Sequence, residues 1–332
     1  LQFEPSDFAV LPPQMPSAAD QFILASESAK IVDFDQKKAT FLQGMEKHFY
    51  YSSLENTKLK NLIADYGVLN QNSNYRVFTL SNPFAESVTS YYHKSIGGYH
   101  GAKLKRYQEL IDFRIANETA FIQQNINQFG LSVFESTPTL NMLNTRYVIL
   151  NPGSRPVQNP LAMENAWFVT DLKRVKDANN EIISLSDSSL NLKTTAVVHD
   201  EFKNLVKVDN PDLAASIRMT SYRPNLIKYV SSSASTQHAI FSEVYYPKGW
   251  NCYINDKLTP YFRANYILRA VTVPKGENNI EWRFEPETYF NSKTISSFSS
   301  IFLLIICAFI FTKELLIKIK PSLSKPQGVQ KQ

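Results

Sequence analysis

The stretch Ile295–Thr312, ISSFSSIFLLIICAFIFT, decides how this chain is built. Thirteen of its 18 residues are apolar, the other five are Ser or Thr, and no charge falls between Lys293 and Lys313. As a helix it reaches about 27 Å, enough to cross a hydrocarbon core. It is apolar on every face, unlike the one-sided stripe of a surface helix. Working outward, Lys313, Lys318, Lys320, Lys325 and Lys331 follow it against the single Glu314. Before it, Glu277, Glu281, Glu285 and Glu287 stand against Arg283 and Lys293. The lysine excess predicts a cytoplasmic tail at 313–332 and places residues 1–292 on the extracytoplasmic side. An exported region needs an upstream signal or membrane helix, and the chain starts at Leu1. That predicts the C-terminal piece of a longer membrane protein, or a chain that has lost a signal peptide.

The chain has 332 residues, and its 43% apolar and 20% charged content is that of folded protein. Two cysteines exclude a disulfide scaffold and a Cys₄ metal site. The net charge of +5 would ordinarily suggest nucleic acid as a partner. The tail after the span holds nearly all of it, so the charge is a topology signal and no nucleic-acid partner is expected.

Residues 1–74 read as an extended, then helical, lead-in and a possible insertion. Ala18–Ala25 is a short helical segment, and Lys37–Leu69 is helical with an end near Gly67. Residues 75–205 read as a small mixed α+β domain. It holds strands at Tyr75–Leu80, Tyr147–Leu150, Ala166–Val175 and Thr195–His199. A long helix follows Lys103, with Leu104, Tyr107, Ile111, Ile115, Ile122, Ile126 and Phe129 at steps of three, four or seven residues. Residues 206–290 carry seven short runs separated by turn residues, which predicts a membrane-proximal β-sandwich. The runs are Ser216–Tyr222, Leu226–Ser231, Ala239–Tyr245, Trp250–Ile254, Leu258–Arg263, Leu268–Val273 and Asn278–Phe284. The fold class expected is therefore α+β: a small mixed domain, a β-sandwich and one C-terminal transmembrane helix at 295–312.

Three of the ten glycines fall in one turn at Gly97, Gly98 and Gly101. Backbone N–H groups there could approach an anion, and a helix N-terminus follows. Lys103 and Arg106 add charge, while His93, Tyr99 and His100 add donors. Together these eight residues are the candidate site for a lipid phosphate or sugar phosphate. The competing reading is a tight turn whose glycines only permit positive φ. In the sandwich, Tyr245, Tyr246 and Trp250 flank a Pro-Lys-Gly turn and could stack on sugar rings, or serve as core and interfacial anchors. Asp33-Phe34-Asp35 is a bare D-x-D. No HExxH, CxxC or GxSxG is present, so no metal, cofactor or catalytic residue is assigned.

The blocks TSYYHKSIGGYHGAKLKRYQELID (Thr89–Asp112), NMLNTRYVI (Asn141–Ile149) and NAWFV (Asn165–Val169) occur in that order. SEVYYPKGW (Ser242–Trp250) and NYILRAVTVPKG (Asn265–Gly276) follow them. This resembles the C-terminal region of the bacterial YfhO-family membrane proteins, in the form common in Bacteroidetes-type bacteria. The likeness covers roughly Tyr75–Thr312. It implies an inner-membrane protein similar to GT-C glycosyltransferases, which use lipid-linked sugars on the outer face. Their catalytic acid belongs to an early loop that this chain lacks. The implied role is an extracytoplasmic module assisting glycosyl transfer to an envelope glycan. Its partners would be the bilayer, an upstream transmembrane core, and a lipid-linked sugar or glycan. The alternative is a non-enzymatic, membrane-anchored module binding glycan or a partner protein.

Overall fold

A computed structural model describes residues 14–47, 56–206 and 211–319. The first 13 residues of the expected lead-in and most of the basic tail lie outside them. Three helices come first: α1 (Ala18–Ser28), α2 (Phe34–Glu46) and α3 (Thr57–Asn72). Ser17 starts α1 with a reciprocal cap, its hydroxyl accepting from Asp20 N while the Asp20 carboxylate accepts from Ser17 N. α3 runs past Gly67, where a helix end was expected. A Cβ at Gly67 would lie 2.3 Å from the Phe41 ring. The glycine is there to let α2 pack on α3, which a breaker reading mistakes for a stop.

Next come β1 (Arg76–Thr79), α4 (Val88–Tyr92) and α5 (Lys105–Leu110). α5 continues through a π turn, Ile111–Ile115, into α6 (Ala116–Phe129). Short elements follow: α7 (Pro138–Met142), β2 (Thr145–Ile149), β3 (Val157–Gln158), β4 (Ala166–Val169), β5 (Asp171–Val175), α8 (Ala178–Ser184) and β6 (Thr195–His199). Then come eight strands: β7 (Ser216–Arg223), β8 (Leu226–Ser233), β9 (Gln237–Val244), β10 (Trp250–Ile254), β11 (Lys257–Thr259), β12 (Tyr261–Ala264), β13 (Leu268–Val273) and β14 (Gly276–Phe284). The last element is α9 (Glu287–Ile319).

The strands form three sheets, ordered β1-β2-β3, β11-β10-β14-β8-β7 and β4-β9-β13-β12-β6-β5. The five-stranded sheet packs on one face of the six-stranded sheet. Phe241 meets Tyr229 at 4.8 Å and Trp282 at 5.1 Å between ring centroids. The other face of the six-stranded sheet packs on Leu110, Ile111, Ile115 and Ile122 of the long helix, through Ile240, Phe262, Leu268 and Ala270. A sheet covered on both faces loses the in–out alternation, and β9 and β13 are buried almost throughout. The fold class is α+β, with a two-sheet sandwich and one apolar C-terminal helix.

All seven expected strands are present, with one difference. Leu258–Arg263 is two strands, β11 and β12, split at Pro260. β11 pairs with β10 in one sheet and β12 with β13 in the other. Proline supplies no N–H to a ladder, so it sits where the chain leaves one sheet for the next. Strands from both sides of residue 206 share the six-stranded sheet: β4 pairs with β9, and Val198 of β6 pairs with Ala264 of β12.

The chain divides into two compact units, Leu1–Tyr246 with Asn251–Arg283, and Pro247–Trp250 with Phe284–Gln332. In the second, Glu287–Glu314 is long and apolar enough to cross a membrane and none of it is buried. The helix begins before the expected Ile295, because Glu287–Thr294 carries no breaker and continues the same helix.

Candidate functional site

The Gly-rich turn is held by its own chain. Gly98 N donates to Pro83 O at 2.7 Å, Tyr99 N to Glu86 O at 2.9 Å and Gly97 N to the Ser95 hydroxyl at 3.0 Å. A Cβ on Gly97 would lie 2.1 Å from Pro83 O, and Gly98 has φ +108°. These two positions require glycine for close approach and for a left-handed backbone. Gly101 has nothing within 4 Å of a built Cβ. The amides expected to face an anion thus close the turn onto Pro83–Glu86.

The side chains of the eight expected residues separate into different environments. His93 is buried, with Nε2 3.1 Å from Asp20 Oδ1, and Tyr66 presents its ring edge-on to the imidazole. Burial would raise the Asp20 carboxyl, but the hydrogen bond and charge of His93 and the Ser17 hydroxyl hold it below the usual carboxylate range. Lys103 Nζ lies 5.3 Å from the Phe84 ring centroid. Tyr99 and His100 face solvent, and His100 Nδ1 accepts from Ala102 N at 3.1 Å.

Arg106 belongs to a buried network that sequence reading did not find. Glu181, fully buried on α8, is its hub. Its Oε2 lies 3.1 Å from Arg106 Nη1 and 3.4 Å from Arg263 Nη2, and its Oε1 accepts Tyr266 N at 3.1 Å. Arg263 also pairs with Glu201 at 2.7 Å, and the Arg106 guanidinium stacks 4.6 Å from the Tyr266 ring centroid. Asn265 and Tyr266 hold positive φ to present that amide. The Asn265 carboxamide accepts Val197 N at 2.8 Å, continuing the ladder between β6 and β12. A buried carboxylate held by two guanidiniums and an amide is a clasp, and it fixes α5, α8 and the β12–β13 turn together. No local pattern marks it, because Arg106, Glu181 and the Arg263–Tyr266 segment are far apart in sequence.

The sandwich aromatics are also largely committed to packing. Tyr245 meets Tyr261 at 5.3 Å and Phe202 at 6.0 Å, and burial pushes its hydroxyl up. Trp250 stacks on Phe284 at 5.3 Å. Tyr246 is the most open of the three. Asp33 and Asp35 stand exposed at the start of α2. Among the described residues no group of three or more His, Cys, Asp or Glu side chains could hold a metal ion.

A cleft of about 560 Å³ lies elsewhere, where the three sheets present their edges. β3, β4 and β7 are each an edge strand, and each sends residues into its wall. Asn144 Nδ2 donates to Asn165 Oδ1 at 3.2 Å across it, joining two of the blocks on which the sequence resemblance rests.

The family model described as bacterial membrane protein YfhO matches residues 123–296, just over half of the chain. No curated protein and no solved structure matches it.

Proposed function

This chain belongs to the YfhO family of bacterial membrane proteins, and from that premise we propose that it is the extracytoplasmic C-terminal module of a membrane glycosyltransferase-like protein. In this reading α9 anchors the module in the cytoplasmic membrane, with the lysine-rich tail inside. The mixed α+β region and the sandwich stand outside, in the cell envelope. They help bring a lipid-linked sugar and an envelope glycan together for transfer, and the catalytic residues belong to an upstream membrane core of GT-C type.

One observation carries the reading. Glu287–Glu314 is apolar and wholly unburied, so it needs lipid or other membrane helices around it. It follows β14 after only Glu285 and Pro286.

Two measurements test it. Fusions at the C-terminus report topology: fluorescence of a cytoplasm-only reporter with no activity from a periplasm-only phosphatase is expected, and the reverse would overturn the orientation. Transfer from a lipid-linked sugar by the full-length protein, with and without residues 75–284, reports function. Loss of transfer with retained membrane insertion is expected. Unchanged transfer would leave the non-enzymatic glycan- or partner-binding module as the better account.

A further inference from the structure

The cleft at the meeting of the three sheets has a chemistry that the packing of the protein does not use. It encloses about 560 Å³, within the ~300–1,000 Å³ range of small-ligand sites. Gln158, Glu164 and Arg218 line it, and their side chains are exposed. Among the described residues none of the three side chains has a hydrogen-bond or ion-pair partner. Asn165 is oriented by Asn144, which occupies its carbonyl oxygen and leaves its amide N–H₂ as a donor. Arg146 lies 5.5 Å from the ring centroid of Tyr75 and 3.8 Å from Glu27, so it is held in place and half neutralised.

We infer that this cleft is a saccharide site, taking a short neutral glycan whose neighbouring hydroxyls pair with Gln158, Glu164 and Arg218. A hydroxyl both donates and accepts, so a glycan asks for amides, a carboxylate and a guanidinium side by side, and these are the groups present. Arg146 shares Glu27 with Lys30, and Glu164 puts a carboxylate into the wall itself, which disfavours a phosphate or other strong anion. Met219, half-buried, supplies apolar surface at the wall, with the buried Tyr75 and Ile217 behind it. The groups are also pre-placed. Gln158 is fixed opposite Tyr147, Arg218 opposite Val230, and Asn165 immediately precedes the residue opposite Phe241. The backbone beneath Gln158 and Arg218 is therefore fixed, and what a ligand orders on binding is the side chains.

The inference names the glycan site of the proposed module and so rests on that reading, but its test does not. The full chain in detergent is titrated with maltotriose, cellotriose and chitotriose by saturation-transfer NMR, with inorganic phosphate and an unrelated tripeptide as competitors. Binding of at least one trisaccharide is expected. Arg218→Ala and Gln158→Ala should each weaken it about tenfold, the worth of one good hydrogen bond to a charged or amide partner. All three side chains are exposed, so the melting temperature should not change. No trisaccharide binding, binding indifferent to both substitutions, or displacement by phosphate or peptide would overturn the assignment. If the variants lose binding while the full-length protein still transfers sugar, the cleft is a glycan site and the transferase-assisting role fails separately.

Discussion

His93 Nε2 lies 3.1 Å from Asp20 Oδ1, with the two side chains only 1% and 4% exposed. The pair joins α1 to the end of α4 across 73 residues of chain. His93→Leu would leave the Asp20 carboxylate buried without its partner, at a cost of about 3–5 kcal/mol. The Asp20 carboxyl is held below its unfolded value, so the stability it contributes is present above about pH 4 and is lost as pH falls through the folded value. Thermal melts of the detergent-solubilised chain should show that acid loss. His93→Leu should be less stable at pH 7 and show a smaller acid loss.

Glu118 shows the opposite sign. Its carboxylate accepts Thr139 N and Leu140 N, both at 2.9 Å, at the start of α7. Burial outweighs those bonds and pushes its carboxyl up to about 7. The folded state therefore holds the proton more tightly. The associated stability is complete below about pH 4.5 and is lost as pH rises through 7, a change of up to about 3 kcal/mol. Glu118→Gln cannot titrate and should flatten that slope in denaturation curves between pH 4.5 and 8. It should also lower stability at pH 5 by about 1–3 kcal/mol, because one amide then faces a donor rather than an acceptor.

His238 gives a third pH signature. The Thr272 hydroxyl donates to Leu205 O at 2.8 Å, so its oxygen accepts from His238 Nδ1 at 3.0 Å. Nε2 is buried with no partner among the described residues. Burial pushes the imidazole down to about 4. The unfolded chain binds the proton first, so stability falls as pH drops from about 6.5 to 4, by up to about 3 kcal/mol. His238→Phe should remove that slope over the same range in urea titrations.

The Gly-rich turn makes a prediction by contrast. Gly97→Ala places a methyl 2.1 Å from Pro83 O, a backbone atom that cannot step aside alone. A loss of about 1–3 kcal/mol is expected. Gly101→Ala meets nothing within 4 Å and should leave the melting temperature unchanged. Equal effects at the two positions would mean that the turn is not held as described.

Much of this was legible along the chain and little of it across the chain. The strand runs from Ser216 to Phe284 announce themselves through turn residues and apolar alternation, and so does the apolar stretch at Ile295. Pro260 was visible too, but a proline inside a run does not say that the strand changes sheets there. Gly67 is ambiguous for a related reason: what it makes room for, Phe41, lies on another helix. The glycines at 97 and 98 read as an open cradle because sequence shows that the backbone can approach something, and only the fold shows that it approaches Pro83. The Glu181 clasp and the three-edged cleft have no local signal at all, since their members come together only when the sheets are complete.

The shared six-stranded sheet bears on how the chain is made. Val198 finds its partner at Ala264, and Ala166 finds its partner at Phe241. During synthesis at roughly 5–20 residues per second, the first of each pair waits seconds for the second. β4 must therefore emerge unpaired and wait for β9, while β6, paired with β5 on one side, keeps its other edge open until β12 arrives. Open edges of this kind have to be shielded from premature strand pairing, and on the proposed topology that falls to the translocation machinery or to a holdase on the far side. The six-stranded sheet is complete at β13, only 13 residues before α9 begins, so on the proposed topology closure of the sheet and insertion of the anchor follow closely on one another.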